Sequence, residues 1–345
     1  MTSSWSSPSN IALIKYWGKK GFQIPANPSL SLTLEHSRTT MSMQWEKSGI
    51  KTQDQISLDF SFEGKKRPDF EIKIIKYFNH LSEKWPQLLR YDLKIESSNS
   101  FPHSAGIASS ASSMSALSLC LMDFFVATGA ESLAQEKFFN MASNLARQGS
   151  GSACRSLFGG FVLWGEWPSV MNSHDGWACE VKQNIDEDFK NIGDAILIVS
   201  SEEKQLSSSQ GHQLMSEHPF ALARFKQARV EMAKLFSVLC DGNWIDFQKI
   251  VQHEALTLHA LMMSSQNPTI LLNPNTLKII EVIENFERET KMPLAYTLDA
   301  GPNVHLLYPK RNKDKTIEFI QSQLLKLCEN EKFIDDEVGV GPKKI

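Results

Sequence analysis

The chain reads as an α+β protein of two domains. Its 345 residues exceed what one hydrophobic core ordinarily serves. Strand-like runs alternate with long helical insertions rather than with single crossover helices. The polar, acidic stretch from Asn184 to Asn191 then separates residues 1–185 from residues 186–345. These two segments are the expected domains.

In the first segment the expected strands are Ser31–Leu34, Thr39–Trp45, Tyr91–Glu96 and Phe161–Trp164. Apolar residues at Ile107, Met114, Leu117, Leu121 and Phe124 recur with a helical period directly after a run of small and hydroxyl residues. The second segment opens on the buried-looking strand Ala195–Val199. Residues 219–263 read as helices: Phe225, Ala228, Met232, Leu235 and Leu239 form one apolar stripe, and Phe247, Ile250, Val251 and Leu258 a looser one. A helix from Thr276 to Lys291 precedes a strand at Leu294–Leu298, and a further strand runs from Val304 to Tyr308. No internal repeat interrupts this order.

Composition excludes several classes. With 41% hydrophobic and 22% charged residues, the chain is globular rather than disordered. Its 36 Lys+Arg against 39 Asp+Glu argue against nucleic acid as a partner. Anionic ligands would need locally gathered cations. No apolar run reads as long enough to cross a membrane, and Met1 to Ser9 lack the pattern of a secretory signal. Five scattered cysteines give neither a disulfide framework nor metal-ligand spacing and fit a cytoplasmic location. His253-Glu254 is followed by His259, six positions after the first histidine, so one helical face would not present a zinc-binding pair.

Four segments carry chemistry. Asp299-Ala300-Gly301-Pro302-Asn303 sets a carboxylate where one strand ends and the next begins. An Asp that merely starts a turn is common, so this position acquires meaning from the other three. Ser9 to Lys19 runs from apolar residues into Lys15, Tyr16, Trp17, Gly18 and Lys19, delivering two ammonium groups suited to phosphate or carboxylate oxygens. Phe101 to Ser113 places small side chains at the start of a helix, where backbone N–H groups and the helix dipole favour an anion. It is not a Walker A loop, because no Gly-Lys-Ser/Thr follows. Arg147 to Gly160 sets Arg147 and Arg155 around a Gly/Ser turn, and a guanidinium fork grips carboxylate or phosphate.

On these four segments, and on the ending Val338-Gly339-Val340-Gly341-Pro342, the chain resembles the diphosphomevalonate decarboxylases of the GHMP small-molecule kinase superfamily. The resemblance spans nearly the whole chain. It implies an N-terminal domain like the second domain of ribosomal protein S5, a C-terminal ferredoxin-like domain, and an active cleft between them. It implies ATP-dependent decarboxylation of (R)-5-diphosphomevalonate to isopentenyl diphosphate, ADP, phosphate and CO2, with Mg²⁺ as the ion. The tertiary C3 hydroxyl is a poor leaving group; phosphorylation makes phosphate the leaving group, and loss of CO2 then yields the alkene.

By motif position, the resemblance implies that Asp299, Lys15 and Arg155 act at the reacting end. Asp299 accepts or orients the C3 hydroxyl proton, Lys15 lies near it and the transferring phosphoryl group, and Arg155 orients the substrate carboxylate. Tyr16, Lys19, Ser150, Ser152 and, on weaker surroundings, Arg67 would contact the diphosphate. Ser104, Ala105, Gly106, Ala108, Ser109, Ser110 and Ser208 would hold ATP, with Ser109 also toward Mg²⁺. His212 stands where the family usually has Met, and His103 where it has a small or hydroxyl residue; neither is expected to be catalytic. The family is often homodimeric. Two alternatives stay open: a monophosphate decarboxylase or C3 kinase of the same superfamily, and a non-catalytic nucleotide- or RNA-binding module.

Overall fold

The computed structural model describes residues 1–49, 55–102, 107–132, 134–182, 184–202 and 208–345. The chain opens with β1 (Thr2–Ile14), a small hairpin of β2 (Lys19–Gly21) and β3 (Ile24–Pro25), and β4 (Ser29–Lys47). Next come β5 (Ser57–Phe62), β6 (Lys65–Lys66), α1 (Pro68–Ser82), β7 (Tyr91–Asn99), α2 (Ser109–Ala127) and α3 (Gln135–Gly149). β8 (Phe161–Trp164), β9 (Ala178–Glu180) and the short α4 (Glu187–Lys190) lead to β10 (Ile192–Leu197). α5 (Ser208–Leu214), α6 (Ala221–Asp241), α7 (Trp244–Met263) and α8 (Pro274–Thr290) follow, then β11 (Ala295–Leu298) and β12 (Val304–Pro309). The chain ends in α9 (Lys313–Phe319), β13 (Phe333–Glu337) and β14 (Lys343–Lys344).

Two sheets organise these elements. The larger runs β14-β1-β4-β7-β5-β6, with β8 bridging β4 to β9; the smaller runs β11-β12-β10-β13. All pairs are antiparallel except β5 with β7. The expected strands at 31–34 and 39–45 are one strand, β4. Apolar runs separated by Glu35-His36-Ser37-Arg38 look like two strands. The Asp336 carboxylate accepts the N–H groups of Glu35 (3.0 Å), His36 (2.8 Å) and Ser37 (2.7 Å) and carries the strand through its irregular stretch.

The long helix expected after the hydroxyl-rich loop is α2. It is apolar and long enough to span a membrane by composition, with a mean hydropathy of 1.4 over its best window, which corrects the reading that no run reaches that length. Its residues Leu117, Leu121 and Phe124 are instead packed against Met41, Met43 and Ile95 of the large sheet. α6 and α7 pack on the opposite side: Ala228, Met232, Phe247 and Val251 share one core with Ile11, Leu13 and Leu30 of β1 and β4 and with Ile192 and Ile196 of β10. A single apolar core therefore joins the two sheets, and burial of such a continuous surface fixes their relation.

Candidate active site

Lys15 and Asp299 each stand directly after a strand. β1 breaks register with β4 between Ala12 and Ile14; such an irregularity re-aims side chains at a strand end. Lys15 follows directly. It is buried, its Nζ donates to the carbonyl of Ala12 at 2.7 Å, and its backbone N–H donates to Glu254 Oε2 at 2.8 Å. Burial lowers its pKa to about 8, against the pull of the Asp299 and Glu254 carboxylates and with the push of Arg155 and Arg224.

Asp299 sits at the end of β11. Its carbonyl accepts the Gly301 N–H at 2.8 Å and lies 3.1 Å from His259 Nε2. Asn303 fastens the far side of the turn, its Oδ1 accepting from Val199 N–H at 2.7 Å and Ser200 N–H at 3.0 Å. Arg155 lies in a short 3-10 turn, Gly151–Leu157, and is buried. Its Nη1 donates to Ser29 Oγ at 2.6 Å and its Nε to Asn10 Oδ1 at 3.2 Å. Burial lowers its pKa, opposed chiefly by Cys154 and then by Asp299.

A small cavity is lined by Lys15, Arg155, Asp299, Asn10, Ala108 and Ser152, among others. Two cations and one carboxylate thus meet at the start of α2, where Ala108 holds a left-handed backbone (φ 46°). A larger cavity of about 510 Å³ adjoins it; Tyr16, Ser152 and His212 line both. Its polar end carries Lys19, Ser150, Ser109, Ser110 and Ser113, and its apolar end Phe60, Phe62, Phe70 and Ile74. The Tyr16 hydroxyl is buried with no hydrogen-bond partner, and burial pushes its pKa up. A buried polar group without a partner is costly, so this hydroxyl is suited to a ligand oxygen.

The structure thus brings Lys15, Tyr16, Lys19, Ala108, Ser109, Ser110, Ser150, Ser152, Arg155 and Asp299 around two joined cavities. Arg67 lines neither cavity itself: its Nε and Nη2 donate to Asp69 at 2.9 and 2.8 Å, and its guanidinium lies 4.1 Å from the ring of Phe70, a wall residue of the larger cavity. Ser104, Ala105, Gly106 and His103 lie outside the described residues, as does the side chain of Ser208, which begins α5. Arg147 is turned away, donating to the carbonyls of Gly176 (2.9 Å), Phe22 (2.9 Å) and Gln23 (3.0 Å).

Other residues of the walls were not singled out as site residues from the sequence, His212 and Lys73 among them. His212 accepts the Gly18 N–H on Nδ1 at 3.1 Å and lies against the rings of Tyr16 and Trp17. Burial holds its pKa down at about 3, so it is neutral at physiological pH. Lys73 joins the larger cavity from α1.

Two family models match the chain: a diphosphomevalonate decarboxylase-like N-terminal domain over residues 7–174, and a mevalonate 5-diphosphate decarboxylase C-terminal domain over residues 195–342. The chain belongs to the diphosphomevalonate decarboxylase family. It is 32% identical to the diphosphomevalonate decarboxylase of Candida albicans over 92% of this chain and 87% of that one. Against that of Saccharomyces cerevisiae it is 32% identical, over 92% and 81%. Among solved structures it resembles mevalonate diphosphate decarboxylase from Staphylococcus aureus (TM-score 0.83, 27% identity, 100% and 98% covered). It also resembles MDDEF in complex with MVAPP, AMPPCP and magnesium (TM-score 0.82, 25% identity, 100% and 99% covered). The fold is accordingly the two-domain GHMP kinase fold of this family, and the chain is a decarboxylase rather than a binding module.

Proposed function

We propose that this family member catalyses ATP-dependent decarboxylation of (R)-5-diphosphomevalonate to isopentenyl diphosphate, ADP, phosphate and CO2, with residues 1–185 and 186–345 as its two domains. The observation that carries the assignment of roles is the small cavity where Lys15, Arg155 and Asp299 converge beside the start of α2. The C3 hydroxyl fits there against Asp299, which accepts or orients its proton. Phosphoryl transfer depends mainly on positioning and charge neutralisation, and Lys15 and the α2 N-terminus supply both. When phosphate departs, the Asp299 carboxylate faces the developing positive charge. The two hydrogen bonds of Arg155 leave the rest of its fork for the substrate carboxylate.

The larger cavity suits the remaining groups. Lys19, Tyr16, Ser150 and Ser152 surround the place for the diphosphate, and binding of that remote group helps position the reacting end. The apolar end at Phe60, Phe62, Phe70 and Ile74 suits a flat base, with Ser109 and Ser110 toward the ATP phosphates. Among the described residues no group of three Asp, Glu, His or Cys side chains could hold a metal ion. Mg²⁺ keeps waters and is held largely by substrate phosphates; the Ser109 hydroxyl, on the wall of the larger cavity, would be its protein ligand. When bound, the ion neutralises phosphate charge. Arg67 would add to the diphosphate contacts only by leaving its pair with Asp69. A homodimer and a cytoplasmic location complete the proposal.

The test is simultaneous measurement of ADP and CO2 from (R)-5-diphosphomevalonate with MgATP. Equal release supports the reading. ADP without CO2 makes the enzyme a C3 kinase, and activity on the monophosphate alone overturns the substrate. Light scattering tests the dimer.

A further inference from the structure

Lys15 directly follows β1, yet most of what holds its backbone comes from helices more than two hundred residues later. Glu254 on α7 accepts the Lys15 N–H on Oε2 at 2.8 Å. Arg224 on α6 donates to both carboxylate oxygens of Glu254, Nη1 to Oε1 at 2.5 Å and Nη2 to Oε2 at 2.7 Å, and Nη2 also reaches the Lys15 carbonyl at 3.2 Å. Asn27 completes the carbonyl's bonds at 3.0 Å. The pair is out of water altogether, with side chains 1% and 0% exposed. A buried ion pair is weak evidence for stability as such, so its placement against one residue calls for another account.

We propose that the Arg224–Glu254 ion pair is a positioning device for Lys15, which clamps both backbone polar groups of that residue and so fixes where its ammonium stands in the site. This rests on the reading of Lys15 as a residue of the reacting site. The charged groups facing Lys15 are few: Asp299 from the turn after β11, Arg155 from the 3-10 turn, Asp194 from β10, and the pair itself. Glu254 favours the protonated ammonium and Arg224 opposes it, with Glu254 the stronger. Removing either partner therefore has an effect of opposite sign, which a purely structural brace does not produce.

The experiment labels the protein isotopically at lysine Cε, identifies the Lys15 signal by its loss in Lys15→Arg, and titrates it by NMR. Glu254→Gln is expected to move the Lys15 midpoint down by about one pH unit or more, and Arg224→Gln to move it up. The kcat/KM profile for diphosphomevalonate shifts its alkaline limb in the same directions. Midpoints that stay put, or move together, overturn the proposal. Should a single variant not fold, the neutral pair Arg224→Gln/Glu254→Gln decides it: a lowered midpoint is expected, and an unmoved or raised one overturns it. Expected NMR shifts in a protein inactive on diphosphomevalonate would sink the substrate reading and leave this inference standing.

Discussion

Arg155 donates from Nη1 to the hydroxyl of Ser29 at 2.6 Å, inside the wall of the small cavity. Its Nε is also engaged, with Asn10. A guanidinium can make both bonds and still present donors to a carboxylate; an ammonium on a shorter reach cannot. Arg155→Lys is expected to keep the fold and lose turnover by about a hundredfold or more. Steady-state ADP release and circular dichroism check both halves. Full activity would show that only a positive charge is needed there.

The Asp299 turn is held through backbone and neighbours: the Asp299 carbonyl by Gly301 and His259, the far end by Asn303. Asp299→Asn therefore keeps the turn while removing the carboxylate charge. We expect kcat to fall by roughly a hundredfold or more with little change in substrate affinity, the pattern of a transition-state role. Calorimetric binding beside turnover measures the two separately. Near-normal kcat would remove Asp299 from the chemistry.

Much of this site could be read from the sequence because its residues sit at punctuation marks. Lys15 follows an apolar strand, Arg155 a Gly/Ser turn, and Asp299 a Gly-Pro turn. The stripe of α6 was legible from its helical spacing, and β8 as a short apolar run directly after Gly159-Gly160. α1 and α3 carry apolar faces just as regular, Ile74, Tyr77, Phe78 and Leu81 in one and Phe138, Ala142, Leu145 and Ala146 in the other, although the expected elements above do not include them. Arg147 and Arg155 look alike in sequence, flanking one turn. Their different fates depend on the distant carbonyls of Phe22, Gln23 and Gly176, which no local pattern reveals. The Glu254 clamp on Lys15 is equally long-range.

Lys15 makes activity and stability respond to pH in opposite senses. Its pKa falls from 10.5 to about 8 on folding, so between those values the unfolded chain binds more protons, and stability rises with pH. This group alone contributes a gain of about 3 kcal/mol across that window. Over the same range it loses the charge that suits phosphate, so kcat/KM of the free enzyme should decline above pH about 8. Denaturant unfolding and rate profiles from pH 7 to 10 test the pair of trends; a rate that stays flat through pH 9 would exclude a protonated Lys15.

His212 sets an acid sensitivity of its own. Its folded pKa of about 3 lies below the ordinary 6.5, so its contribution is complete above 6.5 and is lost as pH falls toward 3. By pH 5 that loss is about 2 kcal/mol. His212→Met should flatten unfolding free energy between pH 7 and 5. It should also be less stable at pH 7 by about 1–3 kcal/mol, since the Gly18 N–H loses its acceptor. An unchanged acid slope in the variant would mean that another group titrates there.

Gly151 gives Tyr16 its room. A Cβ at this position would lie 2.9 Å from both Cε1 and the hydroxyl oxygen of Tyr16 and 3.1 Å from the Trp164 ring. Trp164 is fully buried and holds the carbonyl of Asp175 through Nε1 at 2.8 Å, so Tyr16 is the ring that must yield. Gly151→Ala should displace the Tyr16 hydroxyl from the wall shared by the two cavities. The expected result is a KM for diphosphomevalonate raised by about tenfold, with kcat for saturating substrate much less affected, because binding at a distance from the reacting atoms is what is lost. Overpacking a buried site also costs about 1–3 kcal/mol of stability, so the rates are to be compared well below the melting transition. An unaltered KM would show that Tyr16 packs the cavity without touching the substrate.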